Sequence, residues 1–162
     1  MPGVPAHRWL AMVAVAVGTS VLVQGLYAVS TLASAWNSTV IEELGGGYIR
    51  DILLLYATRA AVTAVVTALA CTAVLAARPV LSWLHPFALV SAGTLVAALA
   101  VSLVFAYAVW WTALALRTSD GSPLMQALIN WPQLVAMSLF PTAAAAWTLL
   151  RPRRNGSHDN DR

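Results

Sequence analysis

Four long apolar runs, separated by short polar segments, divide most of this 162-residue chain. Each run approaches or exceeds the roughly 20 residues that an α-helix needs to cross a ~30 Å hydrocarbon core. The pattern predicts an all-α integral membrane protein, a four-transmembrane-helix bundle whose single domain occupies residues 1–150. The predicted spans are about 9–33, 54–77, 86–114 and 132–150.

The first run permits a second interpretation. Arg8 precedes it, and the small residues Ala33, Ser34 and Ala35 near its end resemble the cleavage site of a secretory signal peptide. The apolar core of a signal peptide is usually about 7–15 residues long, and this run is longer. We therefore expect a retained span, with cleavage as the alternative.

A polar, glycine-rich segment precedes the second run. Thr39 and Glu42 fit a capping box, and Gly45 is predicted to end the short helix that they would begin. Within the second run, small residues recur at every fourth position. One such row consists of Thr63, Thr67 and Cys71. Rows of this kind let helices approach closely, and their threonines are expected to hydrogen-bond across helices. We therefore expect the second helix to lie centrally in the bundle, with a simple bias towards alanine as the alternative.

The fourth span is predicted to open at Pro132 and to be kinked by Pro141. Before it, apolar residues between Leu124 and Ile129 have the spacing of a short, separate amphipathic helix. The polar tail, residues 151–162, has no apolar periodicity and is predicted to be disordered and cytoplasmic.

Charge sets the predicted orientation. Only 9% of the residues are charged, and the basic ones are nine arginines, with no lysine. An orientation with both ends inside places six arginines on the cytoplasmic side and three outside, which agrees with the positive-inside rule. Arginine without lysine, together with abundant alanine, indicates a bacterial protein and hence the plasma membrane of a bacterium. The arginines do not cluster on a soluble face, so we expect no nucleic-acid partner.

Arg59 and Gln24 are the two polar residues within spans that could serve a ligand or a partner. A guanidinium suits a phosphate or a carboxylate, so Arg59 predicts an anion site such as an anionic lipid headgroup. The alternative is that Arg59 reaches the outer headgroups without a specific role. Gln24 is expected to hydrogen-bond to a neighbouring helix or to line a pathway.

The acidic residues Glu42, Glu43 and Asp51 precede the second span. They could bind a divalent cation or serve catalysis on a lipid, although solvated loop charges are the simpler interpretation. No haem, nucleotide or nucleophile motif is recognisable, so we expect no cofactor and no enzymatic activity.

Three functions remain open. The first is an accessory or assembly subunit of a larger membrane complex, which would contact the lipid bilayer and other membrane-protein subunits through helix packing. The alternative is a small transporter, channel or lipid-handling protein with an anion site at Arg59. A second alternative is a membrane-embedded enzyme that acts on lipid.

Overall fold

A computed structural model of the protein describes residues 6–36, 40–115 and 122–150; the side chains of residues 40–46 and 112–115 are outside that description. All the regular structure in these ranges is helical, as the hydrophobic pattern predicts. All four helices are long and apolar enough to cross a membrane. They are α1 (Ala6–Trp36), α2 (Val40–Ala77), α3 (Pro86–Ala115) and α4 (Pro123–Leu150).

The helices pack as a four-helix bundle in which one diagonally opposite pair is also in contact. Each helix contacts its neighbours in chain order, α4 contacts α1, and α2 also contacts α4 across the centre. Within the described residues, α1 and α3 do not touch. The prediction that the second helix is central is confirmed, but α4 shares that position.

Small residues make the close crossing of α2 and α3. A Cβ atom on Gly93 would lie 3.0 Å from Val74 Cγ2 and 3.1 Å from the carbonyl oxygen of Ala70. Only a glycine therefore fits at this point of α3 without displacing its neighbours. On α2 itself, Thr63, Thr67 and Cys71 are fully buried, so this small-residue row faces the interior.

Two helix boundaries differ from the sequence-based expectation. The backbone of α2 is helical from Val40 through Gly45 to Ala77, so the prediction that Gly45 ends a short helix is wrong; Thr39 lies outside the described residues. Glycine in a helix interior costs only about 0.5–1 kcal/mol relative to alanine. Continuation also keeps the backbone groups hydrogen-bonded, which matters most beside lipid.

α4 begins at Pro123 and continues through Pro132 and Pro141. The separate amphipathic helix predicted before Pro132 is therefore the first part of α4. Proline removes one backbone hydrogen bond but does not necessarily end a transmembrane helix, because neighbouring groups can satisfy the carbonyl that it frees.

The start of α1, the link 78–85 and the end of α4 lie together at one end of the bundle, called here the termini end. Arg8 Nη1 donates to the carbonyl oxygen of Leu149 at 3.5 Å, which joins the first and last helices there. An apolar cluster fills the interior at this end and includes Met12, Val74 and Leu89. The helices α2 and α4 both terminate here, so they run parallel to each other.

Candidate functional site

Arg59 lies half-buried on α2, within a lateral cavity of about 350 Å³ bounded by α2, α3 and α4. Eighteen residues separate it from the end of α2 at Ala77, which is about 27 Å along a helix. The guanidinium is therefore about one hydrocarbon thickness from the termini end. The cavity lies in the half of the bundle that is farther from the termini end.

Arg59 contacts the ring of Tyr56, and a hydrogen bond of the Tyr56 hydroxyl group holds that ring in place. The Arg59 Cζ atom stands 5.5 Å from the ring centroid of Tyr56, a cation–π distance. The Tyr56 hydroxyl is 2.7 Å from Thr31 Oγ1 and shares a hydrogen bond with it. This bond connects α2 to α1 and restrains the ring against which the guanidinium rests.

Three amide side chains from α4 line the same cavity: Gln126, Asn130 and Gln133. Their spacing of four and then three residues places them on one face of the helix. Asn130 Nδ2 donates to the carbonyl oxygen of Gln126 at 3.0 Å, which restrains that amide. Sequence reasoning missed these residues, although the spacing of their amides was a usable signal.

The rest of the cavity wall is largely apolar. Leu55 and Val62 of α2 face the cavity together with Val101 and Phe105 of α3. The site therefore combines one cation and several amide groups with hydrocarbon walls. Such a composition fits a molecule with an anionic head and an apolar body.

No carboxylate neutralises Arg59 among the residues that the structure describes. The ion pair found among the described residues joins Arg50 Nε to Asp51 Oδ1 at 3.5 Å, and both side chains are exposed. Asp51 does not line the cavity, and the side chains of Glu42 and Glu43 are outside the described part of the structure. With respect to the described residues, the cation in the cavity is therefore free to pair with an external anion.

Gln24 lies fully buried on α1, away from Arg59, but it reaches the cavity indirectly. Its Nε2 atom is 3.3 Å from the Sδ atom of Met137, a residue that lines the cavity. The expected hydrogen bond to another helix is therefore present, with a thioether as a weak acceptor. Gln24 Oε1 has no hydrogen-bond partner among the protein atoms described.

A second, larger hollow of about 1130 Å³ lies at the termini end, beside the link 78–85. Its walls include Arg78, Ser82 and Trp147, but no convergent set of amides. Arg78 is exposed, as expected of an arginine at a membrane boundary. The smaller cavity at Arg59 is therefore the better candidate site.

Comparisons of the chain with protein-family models, with curated proteins and with solved structures found no match.

Proposed function

We propose that this multi-pass membrane protein binds an anionic amphiphile laterally, as a lipid-handling or transport protein, with Arg59 as its anion site. The observation that carries the proposal is a guanidinium that no carboxylate of the described residues neutralises, in a cavity whose remaining walls are mainly amides and hydrocarbon. Its arginine-only basic residues further support a location in the plasma membrane of a bacterium.

The size of the cavity suggests how much of the ligand it holds. A volume near 350 Å³ is at the lower end of the ~300–1,000 Å³ typical of ligand sites. It suits one phosphate or carboxylate head with the first part of one chain. The remainder of a diacyl lipid would stay in the bilayer, because the cavity opens sideways between helices.

The chain offers a matched pair of arginines to test this proposal. Arg50 and Arg59 are on the same helix, but Arg50 is exposed and pairs with Asp51. Hydrogen bonds to charged groups contribute about 1.5–3 kcal/mol. We therefore expect Arg59→Leu to weaken binding of phosphatidylglycerol about 10–100-fold, and Arg50→Leu to leave it unchanged.

Native mass spectrometry of the purified protein with defined lipids measures these affinities. Phosphatidylcholine provides the zwitterionic comparison, and Arg59→Lys tests whether the charge alone is sufficient. The proposal fails if Arg59→Leu binds phosphatidylglycerol as tightly as the unmodified protein does, or if both lipids bind equally well.

A second candidate function is the accessory subunit of a larger complex, and the outward face of α1 favours it. Gly18 and Gly25 are exposed on this face, and a Cβ atom at either would meet nothing within 4 Å. Small residues on a lipid-facing surface let the helix of another protein approach closely. Gly18→Leu should then release co-purifying subunits from native membranes, whereas a protein that purifies without partners would exclude this role.

A further inference from the structure

Five polar residues converge in the interior of the bundle between α1, α2 and α4, outside the Arg59 cavity. They are Ser20 and Gln24 of α1, Thr67 of α2, and Ser138 and Thr142 of α4; we call them the polar core. Each is at most 1% exposed. Each also has a buried side-chain oxygen without a hydrogen-bond partner among the described protein atoms.

The register of the helices brings these residues together. Cys71 Sγ lies 4.0 Å from the carbonyl oxygen of Thr142. Because α2 and α4 run parallel, the residues one turn earlier, Thr67 and Ser138, are also at the same level. Gln24 contacts Met137, next to Ser138, and Ser20 lies one turn nearer the termini end.

Pro141 adds a further acceptor at this level. It has no N–H to donate to the carbonyl oxygen of Met137, four residues earlier in α4. In membrane proteins, carbonyls freed in this way are satisfied by hydroxyl side chains or by ordered water. The polar core therefore contains both donors and acceptors, and it contains no formal charge.

We propose that the polar core binds ordered water, which enters from the Arg59 cavity along Met137. Hydroxyls that can both donate and accept suit water, whereas a buried cation would usually need a carboxylate as well. Met137 contacts Gln24 and lines the cavity, so it lies between the two sites. Towards the termini end, the apolar cluster around Met12 blocks water, so the polar core is reached from the Arg59 cavity and does not continue through the bundle.

Hydroxyl-radical footprinting by water radiolysis tests the proposal, because radicals formed next to a side chain oxidise it. Cys71 and Met12 are both buried in the same apolar cluster, but Cys71 also lies beside Thr142 of the polar core, and Met125 is exposed. In the unmodified protein we expect oxidation of Met125 and Cys71 and little oxidation of Met12. Cys71 oxidised no faster than Met12 would overturn the proposal.

A matched pair of substitutions on α2 provides the control. Thr67→Val removes a hydroxyl of the polar core, whereas Thr72→Val removes an exposed hydroxyl that donates to the carbonyl oxygen of Ala68. The double variant Thr67→Val, Thr142→Val should lose most Cys71 oxidation while Met125 remains unchanged. Thr72→Val should change neither, and retained Cys71 oxidation in the double variant would contradict a water site at these hydroxyls.

Thermal unfolding gives an independent outcome, including for single variants if the double variant does not fold. Removing an unpaired hydroxyl from a dry interior stabilises a protein, whereas removing one that binds water does not. A higher unfolding temperature for Thr67→Val than for Thr72→Val would therefore overturn the proposal. A sodium-dependent unfolding temperature that Thr67→Val abolishes would also overturn it, because the occupant would then be a cation.

Discussion

Replacing Gly93 by alanine tests the close crossing of α2 and α3. The added Cβ would lie 3.0 Å from Val74 Cγ2, well inside the ~3.5–4.0 Å of an ordinary carbon–carbon contact. It would also lie 3.1 Å from the backbone oxygen of Ala70, which cannot rotate away. Overpacking of this kind typically costs about 1–3 kcal/mol, and we expect Gly93→Ala to destabilise the bundle through this cost.

The same substitution also has a favourable component. Alanine is about 0.5–1 kcal/mol better than glycine in a helix interior. Gly18→Ala provides the matched control, because its Cβ would meet nothing within 4 Å and only the favourable component remains. The difference between the two variants thus isolates the overpacking cost, at about 1–3 kcal/mol.

Reversible unfolding in mixed detergent micelles, followed by far-ultraviolet circular dichroism, measures both free energies of unfolding. A double variant with Val74→Ala refines the test by removing the contact at Cγ2 while leaving the one with the Ala70 carbonyl. We expect the double variant to be less destabilised than the sum of the two single variants, because part of the overpacking cost is then removed. If Gly93→Ala and Gly18→Ala change stability equally, the close approach inferred at Gly93 is wrong.

Two further predictions concern the tyrosine that contacts Arg59 and the orientation of the chain. Tyr56→Phe removes the hydrogen bond to Thr31 and should lower the free energy of unfolding by about 0.5–1.5 kcal/mol; no loss in the detergent assay would show that this bond does not hold α1 and α2 together. In a Cys71→Ala background, a cysteine at Thr118 should react with an impermeant maleimide on intact cells, and one at Ser157 should not. The reverse pattern would refute the predicted cytoplasmic ends.

The number and character of the helices follow from local sequence. A helix beside lipid must satisfy its backbone internally and present apolar side chains, so a long apolar run is strong evidence for a span. The row of Thr63, Thr67 and Cys71 also predicted that α2 lies centrally in the bundle. These are properties of single helices, which periodicity can identify.

The Arg59 cavity and the polar core depend on how the helices align with one another, and the periodicity of a single helix does not specify that alignment. The expectation that Thr63 and Thr67 bond across helices illustrates this difference. Thr63 Oγ1 donates to the carbonyl oxygens of Arg59 and Ala60 in its own helix, and Thr67 Oγ1 has no partner among the described protein atoms. Only the register of α2 against α4, fixed by the contact of Cys71 with Thr142, shows that Thr67 and Ser138 are at the same level of the bundle.

The continuity of α4 connects the two sites, and the interpretation of Pro132 as a helix start concealed that connection. When residues 123–150 form one helix, Gln126, Asn130, Gln133 and Met137 follow one stripe in steps of four, three and four residues, and Ser138 and Thr142 lie on the adjoining face. The amides at Gln126 and Gln133 are exposed, Met137 is half-buried, and Thr142 is fully buried. An exposed amide stripe beside a buried hydroxyl face is expected of a helix that carries polar groups from a lateral cavity into a bundle interior. A helix that served only to pack would instead bury apolar residues along its inward side, as α4 itself does nearer the termini end at Ala145 and Leu149.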